Sequence, residues 1–391
     1  MTKQLSPACT SQKRFFCLAL ALLAFFSFDN LSKAQSPSPV TVVDTTQSAD
    51  KARQPQVAID QKGQIFIAFG QGNQLRCAVS KDQGKSFTVS TVGTGGILSL
   101  GMRRGPRIVA TDAGVVITTV AGEQGKGKDG DILSWRSTDN GASWSGPLKV
   151  NAVAGSAREG LHGMAAMADG RIFCTWLDLR SGKMEIYGAA SADGGKSWNE
   201  DRLVYRSPDG AVCTCCHPSV AFSAEGTLYV MWRNQLGGNR DMYFARSANG
   251  GASFTPARKL GRDHWALNIC PMDGGAIAVH DAEHVESVWM RAGSVFTARP
   301  EATEKLLGRG VQAWNAPSAA GVYNIWLEKR PGRLMLLSPG SKKPETLADE
   351  ANDPVIASAQ GPNALVVAAW EAKTGKEGVI QCQIIHSGTP K

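Results

Sequence analysis

The stretch SADGGKSW, residues 191–198, recurs three more times as SKDQGKSF (80–87), STDNGASW (137–144) and SANGGASF (247–254). Each copy has Ser first, Asp or Asn third, Gly fifth, Ser seventh and an aromatic residue eighth. That order of residue types describes a tight turn. The carboxylate or amide of Asp82, Asp139, Asp193 or Asn249 caps backbone N–H groups, the glycine takes a positive φ, and the aromatic ring enters the space between neighbouring sheets. A turn of this kind repeated along one chain joins equivalent strands of equivalent units.

Upstream of each turn lies a second shared frame, PQVAIDQKGQIFIAF from 55, PRIVATDAGVVITTV from 106, HGMAAMADGRIFCTW from 162 and PSVAFSAEGTLYVMW from 218. In each, glycine follows eight residues after the first position and an apolar residue fourteen after it, which reads as strand, turn, strand. With the strands flanking the turn, a repeat contains four antiparallel strands. Three fainter repeats follow without the turn, GGAIAVHDAEHVESVWM from 274, NAPSAAGVYNIWLE from 315 and DPVIASAQGPNALVVAAWE from 353. The last supplies three strands only, and VTVVDTT at 40–46 can supply the fourth. The expected fold class is all-β, a β-propeller of four-stranded blades. Seven blades are expected, with six as the alternative, and the ring is closed by the strand at 40–46 joining the last blade.

The four turns resemble the Asp-boxes of the sialidase (neuraminidase) superfamily, whose BNR repeats build propellers, and Arg53-Gln54-Pro55 resembles the Arg-x-Pro that opens the first blade there. The resemblance implies that the Asp-boxes lie on the face opposite the active site. It also implies an alternative activity, an exo-α-sialidase acting on sialosides through an arginine triad, a Tyr made nucleophilic by a Glu, and an acidic Asp. Its candidates here are Arg53, Arg104 and Arg233 for the carboxylate, with Asp178, Glu185 and Tyr187 for the chemistry. None of the five tyrosines matches the family's motif.

The amino terminus carries Lys3, Lys13 and Arg14, an apolar run from Phe15 to Phe28, and Ser32-Lys33-Ala34. This reads as a signal peptide over 1–34 ahead of one domain over 35–391, exported to the periplasm or the extracellular space. The apolar run is shorter than the ~20 residues a spanning helix needs, so no membrane span is expected. Taking four basic residues and one acid from the 42 Lys plus Arg and 34 Asp plus Glu leaves 38 against 33. Such a mild excess gives no reason to expect nucleic acid. A monomer is expected.

In a propeller blade the loop leading into the first strand shares a face with the loop between strands two and three. These loops carry Arg53, Arg104, Arg158, Cys213, Cys215, Cys216, His217, Cys270, Met272, Asp178, Arg180, Glu185, Arg233 and Asp241. The guanidinium groups of Arg53, Arg104, Arg158, Arg180 and Arg233, with Asp241 among them, suit an anionic small molecule or a glycan. An ion pair with Asp353, Asp178 or Asp241 is the plainer role for Arg53, Arg104 and Arg233.

The stretch VCTCCHPSV (212–220) concentrates soft ligands. Cys213, Cys216 and Cys270 can converge from two loops, with Cys215, His217 or Met272 beside them. Thiolate with thioether suits copper(I), and thiolate with imidazole suits zinc, so a metal-delivering partner is also implied. Cys213, Cys216 and His217 have the C-x-x-C-H spacing of covalent haem, but the segment runs straight into an inner strand and leaves no room on both haem faces. A disulfide from Cys270 to the cluster is the alternative to a metal, and a fully disulfide-bonded rim would point to a protein-interaction propeller. Cys77, Cys174 and Cys382 sit singly in apolar strands and are expected in the core.

Overall fold

The computed structural model describes residues 38–125, 127–281, 284–359, 365–372 and 377–387. All of them belong to one compact unit that begins at Pro37, and the expected signal peptide lies outside the described residues. Among the described residues there are strands and turns but no helix.

Strand β1 (Val40–Asp44) precedes a four-stranded antiparallel sheet, β2 to β5 (Ala52–Ile59, Ile65–Gln71, Gln74–Ser80, Thr88–Thr94). The next sheet holds a short β6 (Ile97–Leu98) and then β7 to β10 (Arg107–Thr111, Gly114–Gly122, Asp131–Ser137, Ser145–Lys149). Three more four-stranded sheets follow. They are β11 to β14 (His162–Ala166, Ile172–Asp178, Glu185–Ser191, Arg202–Tyr205), β15 to β18 (Ser219–Phe222, Leu228–Arg233, Met242–Ser247, Arg258–Lys259) and β19 to β22 (Ala276–Val279, Val285–Arg291, Ser294–Ala298, Lys305–Arg309). The final sheet contains β23 to β28 (Val311–Ser318, Gly321–Leu327, Gly332–Leu337, Glu345–Ser358, Leu365–Ala372, Val379–Ser387) with β1 on its far edge. This set of antiparallel sheets is consistent with a propeller.

Two features set the final sheet apart from the others. β26 is 14 residues long; its first half pairs with β25 and its second half with β27, with an irregularity between Asn352 and Val355 where Pro354 cannot donate to the ladder. β1 pairs with β28, Val40 opposite Cys382 and Asp44 opposite Val379, and Thr45 N–H donates to the Gly378 carbonyl at 2.8 Å. The strand expected at 40–46 therefore sits beside the last one.

The turns behave as their sequence dictates. In the first, Ser80 Oγ accepts from Gly84 N–H at 2.8 Å and donates to Asp82 Oδ1 at 2.7 Å, while Asp82 Oδ1 accepts from Ser86 N–H at 3.0 Å. Gly84 has φ 79°, and Gly141, Gly195 and Gly251 in the other copies have φ 80°, 81° and 92°. Asn249 makes the same acceptor contact, Ser253 N–H at 3.0 Å, and its amide donates to Ser253 Oγ at 2.9 Å where the other copies receive a hydroxyl proton. Phe87 packs on the cluster shared by the first and final sheets, and the other three aromatics pack on the preceding sheet. Trp144 Nε1 donates to Ser90 Oγ at 3.3 Å, Trp198 Nε1 to Ser134 Oγ at 3.0 Å, and Phe254 meets Phe173 edge-on.

Apolar clusters fill the spaces between successive sheets. One joins Val57, Ile65 and Phe69 of the first sheet to Val367, Ala369 and Ile380 of the last. Cys77, Cys174 and Cys382 lie in these clusters, at most 1 % exposed, as expected for thiols acting as small apolar side chains.

Candidate functional site at the lead-in loops

The first strands of the repeats surround a cavity of about 170 Å³ lined by Gln56, Arg107, Met164, Ser219, Ile277, Asn315 and Ile356, one from each of β2, β7, β11, β15, β19, β23 and β26. At the end where the lead-in loops gather, the axis is packed with polar side chains. Gln54, Gln312 and Asp353 each adopt a positive φ, 59°, 56° and 44°, beside irregularities in β2, β23 and β26. This backbone is costly for residues with a Cβ, and side-chain bonds hold it. Gln54 Nε2 donates to Asp353 Oδ2 at 2.8 Å and Gln312 Nε2 to Asp353 Oδ1 at 2.7 Å, so one carboxylate ties three loops. Glu371 accepts from Gln54 N–H at 2.8 Å, and burial, then the Asp353 charge, raises its pKa. Arg103, also at positive φ, donates to the Pro354 and Ala313 carbonyls, each at 3.2 Å, and its guanidinium lies over Trp314.

The next corner belongs to the cysteines. Cys213, Cys215 and Cys216 are all buried, and their sulfur atoms lie within 4.8 Å of one another. Cys213 Sγ is 3.3 Å from Cys216 Sγ and 3.7 Å from Cys215 Sγ, and Arg240 Nη1 donates to it at 3.1 Å. Contacts with the Cys215 and Cys216 thiols, followed by the charge of Arg233, lower the pKa of Cys213 despite its burial. Cys216 is pushed the other way, first by burial. Met272 packs against the three, with φ 52°.

Two members of the expected set stand apart. Cys270 is exposed and outside the three-sulfur group, because the loop before β19 presents Met272 inward. His217 is fully buried but stacks on Trp314, ring centroids 5.3 Å apart, because it follows Cys216 into an extended segment where successive side chains diverge. Neither of its ring nitrogens has a hydrogen-bond partner, and burial, then the charges of Arg103 and Arg107, holds its pKa well below the usual histidine value. All seven described cysteines are free thiols, so the disulfide from Cys270 is not formed.

The arginines do not converge on one anion. Arg53 is exposed and pairs with Glu377, Arg104 donates to the Glu159 carbonyl at 2.7 Å, and Arg158 is exposed. Arg233 is 1 % exposed and gives its donors to the carbonyls of Asp273, Arg240 and Met290, which corrects both its assignment to a ligand and its expected ion pair. The expected pairs of Arg53 and Arg104 are likewise replaced. Asp353 receives Arg330 at 2.9 Å, Asp178 holds Arg180 at 2.8 Å, and Asp241 holds His264 at 2.6 Å.

Asp178, Arg180, Glu185 and Tyr187 form a separate group on β12, β13 and the turn between them. The Arg180 guanidinium lies 3.9 Å from the centroid of the Tyr187 ring and also pairs with Asp201, while Glu185 pairs with Arg206. Sequence reasoning missed Gln54, Gln312 and Asp273. The first two carry no motif, and their role depends on a backbone conformation glycine would normally mark.

Residues 105–283 match the family described as BNR repeat-like domain, in keeping with the capped turns that recur at 137–144, 191–198 and 247–254 within that span. No curated protein matches the sequence. Among solved structures, an α-L-arabinanase from Penicillium chrysogenum complexed with arabinobiose superposes with TM-score 0.54 at 14 % identity, covering 90 % of this chain and 98 % of that one. An α-L-arabinofuranosidase from Fusarium graminearum gives 0.52 at 12 % identity with the same coverage, and a Hadza microbial sialidase 0.50 at 13 %, covering 80 % and 73 %. At these identities the likeness is one of fold.

Proposed function

We propose that this chain is an exported BNR propeller of seven four-stranded blades whose lead-in loops hold a soft metal ion between Cys213, Cys215 and Cys216. One observation carries the functional part: three buried sulfur atoms within 4.8 Å of one another, next to a guanidinium that can offset their charge. The blade number is supported by the seven first strands around one cavity, and the closure by the pairing of β1 with β28. Export is supported by the basic, apolar and small-residue segments of 1–34. The test is metal analysis of protein purified after native export. Cys216→Ser is expected to abolish the bound metal and Cys174→Ser, in a buried strand, to keep it; metal-free wild-type protein with a disulfide within the trio would contradict the reading.

A second reading, hydrolysis of sialosides, is favoured by Glu185 and Tyr187 on one face of β13 with Arg180 over the Tyr187 ring. Under it a fluorogenic sialoside is turned over by the wild type and not by Tyr187→Phe. No turnover by the wild type, in conditions where a known sialidase works, removes it.

A further inference from the structure

We infer that the ion taken at this corner is copper(I), held by the thiolates of Cys213, Cys215 and Cys216 with the Met272 thioether against them; the inference rests on the soft-metal reading above. The donor set is the first reason. The three sulfur atoms cluster without an imidazole or carboxylate among them, and the side chain packed on them is a methionine. Thiolate and thioether donors select copper(I), which is content with two or three soft ligands. Zinc in a closed site takes four thiolate, imidazole or carboxylate donors, and the nearest imidazole in sequence, His217, stacks on Trp314 and lies outside the three-sulfur group. The burial of Cys213 and Cys216, at 0 % and 1 % exposed, leaves little room for water as a fourth ligand.

The Arg240 guanidinium touches Cys213 at 3.1 Å and offsets part of the charge that the thiolates carry. Binding releases to solvent whatever protons the thiols still carry and transfers no electron, so copper must arrive already reduced. The second reason is the backbone: Met272 has φ 52°, a conformation a side chain adopts only when its surroundings hold it, and its side chain packs against the three cysteines.

The experiment uses the mature chain, fully reduced and kept without oxygen. It is titrated with copper(I) against bicinchoninate and, separately, with zinc(II) against a chromogenic zinc indicator, with copper X-ray absorption on the loaded protein. The expected result is one copper(I) per chain taken from the chelator, a sulfur-only coordination shell, and weaker zinc(II) binding. Arg240→Gln is expected to lower copper(I) affinity by about 10- to 100-fold, as losses around a metal's ligands do. Met272→Leu should lower copper(I) affinity and leave zinc(II) binding unchanged. Tighter zinc(II) binding, or nitrogen or oxygen in the copper shell, overturns the choice of copper while leaving a soft-metal site standing. Failure of the reduced wild-type chain to bind either ion overturns both.

Discussion

The two ends of the sheets solve the same problem, the satisfaction of backbone and side-chain polar groups, in opposite ways. At the turn-box end, Asp82, Asp139, Asp193 and Asn249 meet their donors inside an eight-residue segment, so each turn is complete without help from another sheet. At the lead-in end, Gln54 and Arg103 reach across to the final sheet, and within that sheet Gln312 joins Asp353 between β23 and β26, far apart in sequence. Several buried atoms there have no partner, including both ring nitrogens of His217 and Asp273 Oδ1. Local completeness makes the first end a fastener that repeats. Unfinished bonding and packed thiols make the second the place where a ligand changes the energy most.

Substitutions should separate the ends by size of effect. The largest is expected at Arg233: Arg233→Met strips three buried carbonyls of their donor and should destabilise the fold by roughly 3 kcal/mol or more in urea unfolding. A change below 1 kcal/mol, on the order of a single surface bond, would mean that water reaches those carbonyls. Gln312→Ala leaves Asp353 short of one donor and releases the bond between two loops. A loss of about 2 kcal/mol is expected. Asp82→Ala removes one cap, for about 1 kcal/mol, and should leave copper binding untouched. Loss of metal with no loss of stability in that variant would put the chemistry on the wrong end.

The smallest effect is a matter of pH. Asp139 is held at about 2 by bonds from the Ser143 hydroxyl and amide, and Asp193 also at about 2, where burial opposes the lowering and the Ser197 bonds outweigh it. A carboxylate whose pKa is lower in the folded state stabilises fully above its unfolded value, near 4, and loses that contribution as pH falls through the folded value. The melting temperature should therefore begin to fall below about pH 4 and continue to about pH 2. Asn249→Asp should change stability at neutral pH by no more than about 0.5 kcal/mol while adding to this acid sensitivity.

Much of the fold was legible because its signals are local. A Ser-x-Asp-x-Gly-x-Ser-aromatic turn declares itself within eight residues, and a short unbroken apolar run from Ile65 to Phe69 or Leu228 to Trp232, bounded by turn residues, declares a buried strand. The thiol trio was legible for the same reason, three sulfurs within four positions. What lay beyond the sequence was direction. His217 follows Cys216 by one residue yet points to Trp314, and Cys270 precedes Met272 by two yet faces solvent. The arginines misled because charge in a loop says nothing of whether a carbonyl or a ligand receives it. Arg233 is spent on backbone, and only its three-dimensional neighbours reveal that.

The most direct measurement is native alkylation of the exported, metal-loaded chain, mapped by mass spectrometry before and after a copper(I) chelator. The account predicts that Cys270 reacts in both states, that Cys215, the least buried of the trio at 9 %, is protected until the chelator is added, and that Cys213, Cys216 and Cys174 stay protected throughout. Protection of Cys215 that persists with chelator and yields only to reductant would show a disulfide in place of a metal, and would contradict it.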